Sequence, residues 1–186
     1  MSTPPRPSTL GIVLHWTLAV LILSMLAIGF AAFPTSGPHK IGLLATHMMA
    51  GMAILALTLL RLVIRVQAGR RRGTVRKTGR LAAVSSLMQA GSYALVLAMT
   101  GSGLAAAAMS GLNQIVFGGT GQPLPVSIDR YPAFGVHRAL AIVLAVLVAA
   151  HVTIIAYEQF VRKSRPLARM SLQRTKPDAP SAEAGH

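Results

Sequence analysis

The sequence predicts an all-α integral membrane protein: a four-helix bundle running up-down-up-down, with both termini cytoplasmic. Three observations carry that expectation. Apolar residues make up 53% of the 186-residue chain and charged residues only 12%, about half the roughly 25% usual in soluble domains. Four largely uncharged apolar stretches reach the roughly 20 residues that a helix needs to cross the hydrocarbon core. The 18 Lys and Arg, set against 4 Asp and Glu for a formal charge of +14, gather at the ends of those stretches and between them. Alternating segments of strand length are absent, and helix is the remaining way to satisfy a backbone in lipid.

Taken in order, the spans run over about 10–32, 41–64, 82–109 and 133–157. Pro34 and Pro38 close the first, and a basic run closes the second. Gly118, Gly119, Pro123 and Pro125 lie between the last two. The first span is longer than the roughly 7–15 residues of a signal-peptide core, and its only basic flank is Arg6, so it reads as a retained helix. Gly91, Thr100, Gly101 and Gly103 make the third span the least apolar; small residues also suit close helix packing in lipid. Residues 1–9 form a short cytoplasmic segment, 10–170 the membrane unit, and 171–186 a disordered cytoplasmic tail rich in Pro, Ala and charge.

Orientation follows from the side on which basic residues collect. Arg6, Arg61, Arg65, the loop from Arg70 to Arg80 and the tail from Arg162 to Lys176 place fifteen on one face, against Lys40, Arg130 and Arg138 on the other. The charge therefore reads as a topology signal and a lipid-facing belt. Nucleic acid is not expected as a partner, since Trp 1, Tyr 3 and Phe 5 leave few platforms for base stacking.

With no cysteine in the chain, disulfides, thiolate nucleophiles, iron–sulfur ligation and covalent haem attachment are excluded. The near absence of acids disfavours carboxylate metal cages and paired-carboxylate hydrolysis. Six histidines remain. His39, in a Gly-Pro-His-Lys loop, and the terminal His186 read as solvated surface. The other four lie inside spans, where a polar side chain is a functional candidate by default. Depth and direction sort them into two tiers: His15 with His151 on the cytoplasmic side, His47 with His137 on the outer side. His137 and His151 are 14 residues apart, which puts them on one helix face with an axial separation of roughly 21 Å. That arrangement suits two planar cofactors stacked across the bilayer, each held between imidazoles. Bis-histidine b-type haem fits without cysteine. Histidine as interhelical hydrogen-bonding glue is the plainer alternative. Zinc would want four ligands at one place, and each tier holds two histidines with no nearby acid.

These residues resemble the bacterial cytochrome b561 family of four-helix, di-haem inner-membrane proteins, over nearly the whole chain. The resemblance rests on His15-Trp16 and Gly29 in the first span, and on His47, Gly51, Arg61, Leu62 and Arg65 in the second. It continues with Tyr93 and Gly103-Leu104 in the third span. His137-Arg138 and His151 in the fourth, and the closing Leu167-Ala168-Arg169-Met170, complete it. It implies two haem b groups per chain, axial iron ligation by His15, His47, His137 and His151, and electron transfer with quinone as membrane partner. The simple members it resembles are superoxide oxidases: oxidoreductases that oxidise periplasmic superoxide to dioxygen and reduce ubiquinone. Two departures stand out. Gln89 occupies a position where many relatives carry histidine, and Glu158-Gln159-Phe160 follows His151 where a His-His-Phe-like stretch is common.

Secondary site residues follow. Arg138 either pairs with a haem propionate or anchors a helix end, and Arg61, one turn from Arg65, offers the same choice. Lys40, Arg130 and Arg138 give the outer face a positive character that would draw superoxide or an acidic protein donor. Glu158, an acid near the inner end of the fourth span, is the candidate for proton delivery to quinone. Trp16 packs on a haem edge or sits at the membrane interface. The alternative function is that of a cytochrome b subunit relaying electrons between a periplasmic dehydrogenase or other redox protein and the quinone pool.

Overall fold

The computed structural model describes residues 8–32, 38–72, 80–119, 124 and 130–163. Arg6, Arg76, Lys77, the tail expected to be disordered (171–186) and its His186 lie outside the described residues. The chain forms α1 (Thr9–Ala32), α2 (Pro38–Arg72), α3 (Arg80–Ser110), a short α4 (Leu112–Phe117) and α5 (Pro132–Phe160). Four of these helices are long and apolar enough to cross a membrane. The fold is the expected all-helical one.

Local chemistry sets the starts. The Ser8 hydroxyl accepts a hydrogen bond from the Gly11 N–H at 3.2 Å, an N-cap for α1. Pro132 opens α5 in the first turn, where its missing N–H costs nothing. Inside the helices, hydroxyls are returned to their own backbone. Ser92 donates to the Met88 carbonyl at 2.7 Å, Thr100 to Val96 at 3.0 Å and Ser110 to Ala106 at 2.6 Å. In hydrocarbon, such bonds remove donors that no water would satisfy.

Two boundaries differ from expectation. α2 continues to Arg72, eight residues past the expected end at 64: the arginines that end the hydropathy do not end the helix, since Arg is a good helix former. At the other end it begins at Pro38, so His39 and Lys40 belong to its first turn, with His39 exposed. Between α3 and α5, where a plain loop was expected, α4 turns back and packs on α2 and α3, burying Leu112. Six residues are too few to show in a hydropathy window.

In the bundle, α1 packs on α2, α2 on α3, and α3 on α5. Neighbours run antiparallel: His15 near the start of α1 meets Arg61 of α2 and His151 of α5, whereas Gly103 near the end of α3 meets His137 near the start of α5. The core is a layer of apolar side chains at mid-height. Leu18 and Met25 of α1, Ile54 of α2, Val96 of α3 and Leu144 of α5 pack together, with Ile22 against them. The outer surface is apolar too: Val20, Val146 and Leu87 are more than 60% exposed, as befits side chains facing acyl chains rather than water.

Because lipid is as apolar as this core, the layer is held by packing contacts rather than by escape from water. Leu144→Ala is expected to destabilise the bundle by about 1–3 kcal/mol through the cavity it leaves. Val146→Ala, on the lipid face, is expected to be near neutral. Thermal unfolding in detergent, followed by far-ultraviolet circular dichroism, compares the two.

Candidate functional site

The four intramembrane histidines come together in twos. The ring centroids of His15 and His151 lie 6.5 Å apart with planes inclined at 71°, and those of His47 and His137 lie 6.0 Å apart at 82°. Each tier thus joins helices distant in sequence: α1 with α5 at the end where the chain enters and leaves, and α2 with α5 at the loop end. Within α5 the fourteen-residue step from His137 to His151 carries the ring from one tier to the other, roughly 21 Å along the axis.

The loop-end tier is built on backbone. Nδ1 of His137 lies 3.0 Å from the Met99 carbonyl of α3 and 3.3 Å from the Ser102 hydroxyl. The ring reaches that carbonyl because residue 103 is glycine: a Cβ there would come within 2.9 Å of the imidazole. On α1 the arrangement recurs. A Cβ at Gly29 would come within 3.2 Å of the His47 ring. The Met25 carbonyl lies four residues before that glycine, but Nδ1 of His47, buried, completes no hydrogen bond. A glycine thus makes room for each histidine of this tier, and for His137 a carbonyl holds it as well. The sequence reading missed this role. Its only trace there is Met-x-x-x-Gly occurring once in α1 and once in α3.

The terminal-end tier is built on side chains. Nη1 of Arg61 lies 3.3 Å from Nδ1 of His15; a guanidinium only donates, so a hydrogen bond there needs the tautomer with its proton on Nε2, and a metal on Nε2 would leave the two meeting as charge against ring. Trp16 meets the His15 ring edge-on, with centroids 5.7 Å apart. His151 is exposed on the bundle surface at this level, while His15 is half-buried.

The remaining candidates lie further out. Arg138, beside His137, points an exposed side chain outward at the loop end, where Lys40 is half-buried and Arg130 exposed. Glu158 is ion-paired with Arg162 at 2.9 Å across one helical turn. It lies seven residues beyond His151, hence on the same face of α5. Gln89 is half-buried in α3, and the buried side-chain oxygen of Gln159, next to Glu158 in α5, has no hydrogen-bond partner. Arg65 is exposed.

These geometries test the fit of a metal-bearing group. Metal–imidazole bonds of about 2.0 Å on either side of one ion put the two ring centroids roughly 6 Å apart, close to both observed separations. Among the described residues no three His, Asp or Glu side chains converge. A planar tetrapyrrole supplies the equatorial ligands itself and needs only two imidazoles from the protein, which matches the donor set of each tier. Nδ1 on a backbone carbonyl is the usual outer-shell contact that orients a ligating histidine and leaves Nε2 for the metal.

A family model described as prokaryotic cytochrome b561 matches residues 7–171 of the chain. No curated protein matches it.

The glycine seats can be probed directly. Gly103→Ala is expected to push the His137 ring off the Met99 carbonyl at a strain of about 1–3 kcal/mol and to lower the haem retained on purification. Gly101→Ala, with open space around its Cβ position, is expected to retain as much haem as wild type. Haem per chain, from pyridine haemochrome spectra, reads the difference.

Proposed function

This chain belongs to the prokaryotic cytochrome b561 family of membrane redox proteins, and we propose that it carries electrons across the bilayer through two bis-histidine b-type haems. His15 and His151 would hold one and His47 and His137 the other. The observation that supports this most is the pairing itself, with both ring separations near the value that a shared metal demands. When bound, haem supplies reversible one-electron chemistry at iron.

What the chain adds is placement and electrostatics. The basic residues of the terminal end support an orientation with that end in the cytoplasm of a bacterial inner membrane and the His47–His137 tier near the periplasm. Lys40, Arg130 and Arg138 give the periplasmic end a positive field, which raises the local concentration of an anionic donor and weakens with salt. We take the donor to be superoxide and the acceptor ubiquinone. The sum of the reaction is two superoxide, one ubiquinone and two protons giving two dioxygen and one ubiquinol. Arg138, exposed beside His137, would orient a propionate or the incoming anion. At the other end protons are needed. Glu158, on the His151 face and held by Arg162, is the acid placed to hold one for quinone, and Arg61 is the cation placed to meet a propionate.

The same basic loop end would accept an acidic redox protein, so relay from a periplasmic partner is the competing reading. Two measurements decide. His15→Ala or His151→Ala is expected to remove one haem, and His47→Ala or His137→Ala the other; any of these variants retaining two haems contradicts the ligand assignment. Pulsed superoxide mixed with oxidised protein and ubiquinone is expected to reduce haem at least tenfold faster in wild type than in His47→Ala. Equal rates would leave the relay reading.

A further inference from the structure

The two tiers hide an internal repeat that the histidines alone do not reveal. Helix pair α1/α2 and helix pair α3/α5 match position by position. Gly29 of α1 makes room for the His47 ring of α2, and Gly103 of α3 for the His137 ring of α5, each glycine four residues after a methionine. Seven residues from each of these tier positions lie Ile22, Ile54, Val96 and Leu144, one from each spanning helix, and all four belong to the same mid-height layer. A further seven residues on lie His15 of α1, Arg61 of α2, Gln89 of α3 and His151 of α5. Since matched helices run in the same direction, the relating axis lies along the membrane normal, in the manner of parallel repeats.

At the loop-end tier the repeat is intact in residue type: His47 of α2 faces His137 of α5 across the axis. At the other tier it is broken. The counterpart of His151 on α2 is Arg61, and the imidazole that faces His151 comes instead from α1. Arg61 has not left the site, for its guanidinium touches that substitute ring at 3.3 Å.

We propose that Arg61 stands in the position the repeat assigns to a fourth symmetric ligand, and that there it acts as a positioning residue whose fixed charge makes the His15–His151 haem the more easily reduced of the two. This rests on the two-haem reading above. The physical contrast between tiers is direct. The Met99 carbonyl at Nδ1 of His137 would make that imidazole a better electron donor and favour oxidised iron. A guanidinium, always charged, placed in a low-dielectric interior beside a ligand, favours the added electron. Electrons entering at the loop end then run downhill to the terminal end.

The test uses full-length protein purified with haem. Wild type is expected to bind two haems that separate in a spectroelectrochemical titration. Arg61→Gln is expected to retain both and to lower the midpoint potential of one, the one that His15→Ala removes, leaving the other unchanged; Arg61→Lys, which keeps the charge, is expected to stay near wild type. Two bound haems with unchanged potentials in Arg61→Gln would overturn the proposal, whereas fewer than two haems in wild type would overturn the two-haem reading beneath it. A second variant addresses the register even where Arg61→Gln sheds the haem. His15→Ala is expected to lose the bis-histidine low-spin spectrum of that tier, and His15→Ala combined with Arg61→His to regain it. A double variant spectrally identical to His15→Ala would refute the equivalence of positions 61 and 151.

Discussion

A ring nitrogen inside hydrocarbon must find a partner, because no water is there to supply one, and much of this structure answers to that constraint. An unsatisfied buried donor costs about 1–3 kcal/mol. A helical carbonyl is already engaged with the N–H four residues on, yet its oxygen keeps a second lone pair. Using it requires a side chain from another helix to reach the backbone, which only a residue without Cβ permits. Gly103 and the Met99 carbonyl are thus a single device for His137; Gly29 gives His47 the same room, but there Nδ1 stops short of a hydrogen bond. The close α3–α5 and α1–α2 packing that the glycines allow is the same packing that builds the bundle.

Between the tiers, the layer of Ile22, Ile54, Val96 and Leu144 does more than fill space. It holds α2 and α5 at fixed height relative to each other, so that histidines fourteen residues apart on α5 meet partners on two different helices. It also keeps the interior dry. A charge at one tier is then felt strongly within that tier, where screening is weak, and weakens towards the other tier only with distance, roughly 21 Å along α5.

Much of this was legible in the sequence. The spans follow from hydropathy and the tier to which each histidine belongs follows from depth, because both depend on where a residue sits along a helix and not on what it touches. The rest depends on contact. The last two turns of α2 were hidden because the arginines that end its hydropathy do not end its helix. α4 was hidden because a six-residue helix carries no period of its own. The seating glycines were visible as letters but not as seats, since Gly91, Gly101 and Gly103 look alike until one of them meets a ring. Arg61 shows the same limit. Its fourteen-residue distance from His47 equals that between the two histidines of α5, but an arginine near a helix end reads as an anchor for the membrane interface. Only its contact with His15 moves it from the surface belt into the site.

The broken symmetry is where, on the proposal above, electron flow would acquire direction. A perfect repeat would place like residues at α2 and α5 in both tiers and give two sites of similar character, between which an electron has no preferred course. Exchanging one imidazole for a guanidinium, and drawing the missing imidazole from α1, keeps two rings per tier while changing the charge around only one of them. The exchange costs little in packing, because the long apolar stem of Arg61 can lie along the bundle while its head sits half-buried at the tier. It also falls at the end that carries the remaining basic helix of α2 and the Glu158–Arg162 pair, where an arriving electron must be matched by a proton. The two tiers thus differ in what meets their imidazoles, the Met99 carbonyl at His137 and the Arg61 guanidinium at His15, and on the proposal above that difference would set the direction of electron flow.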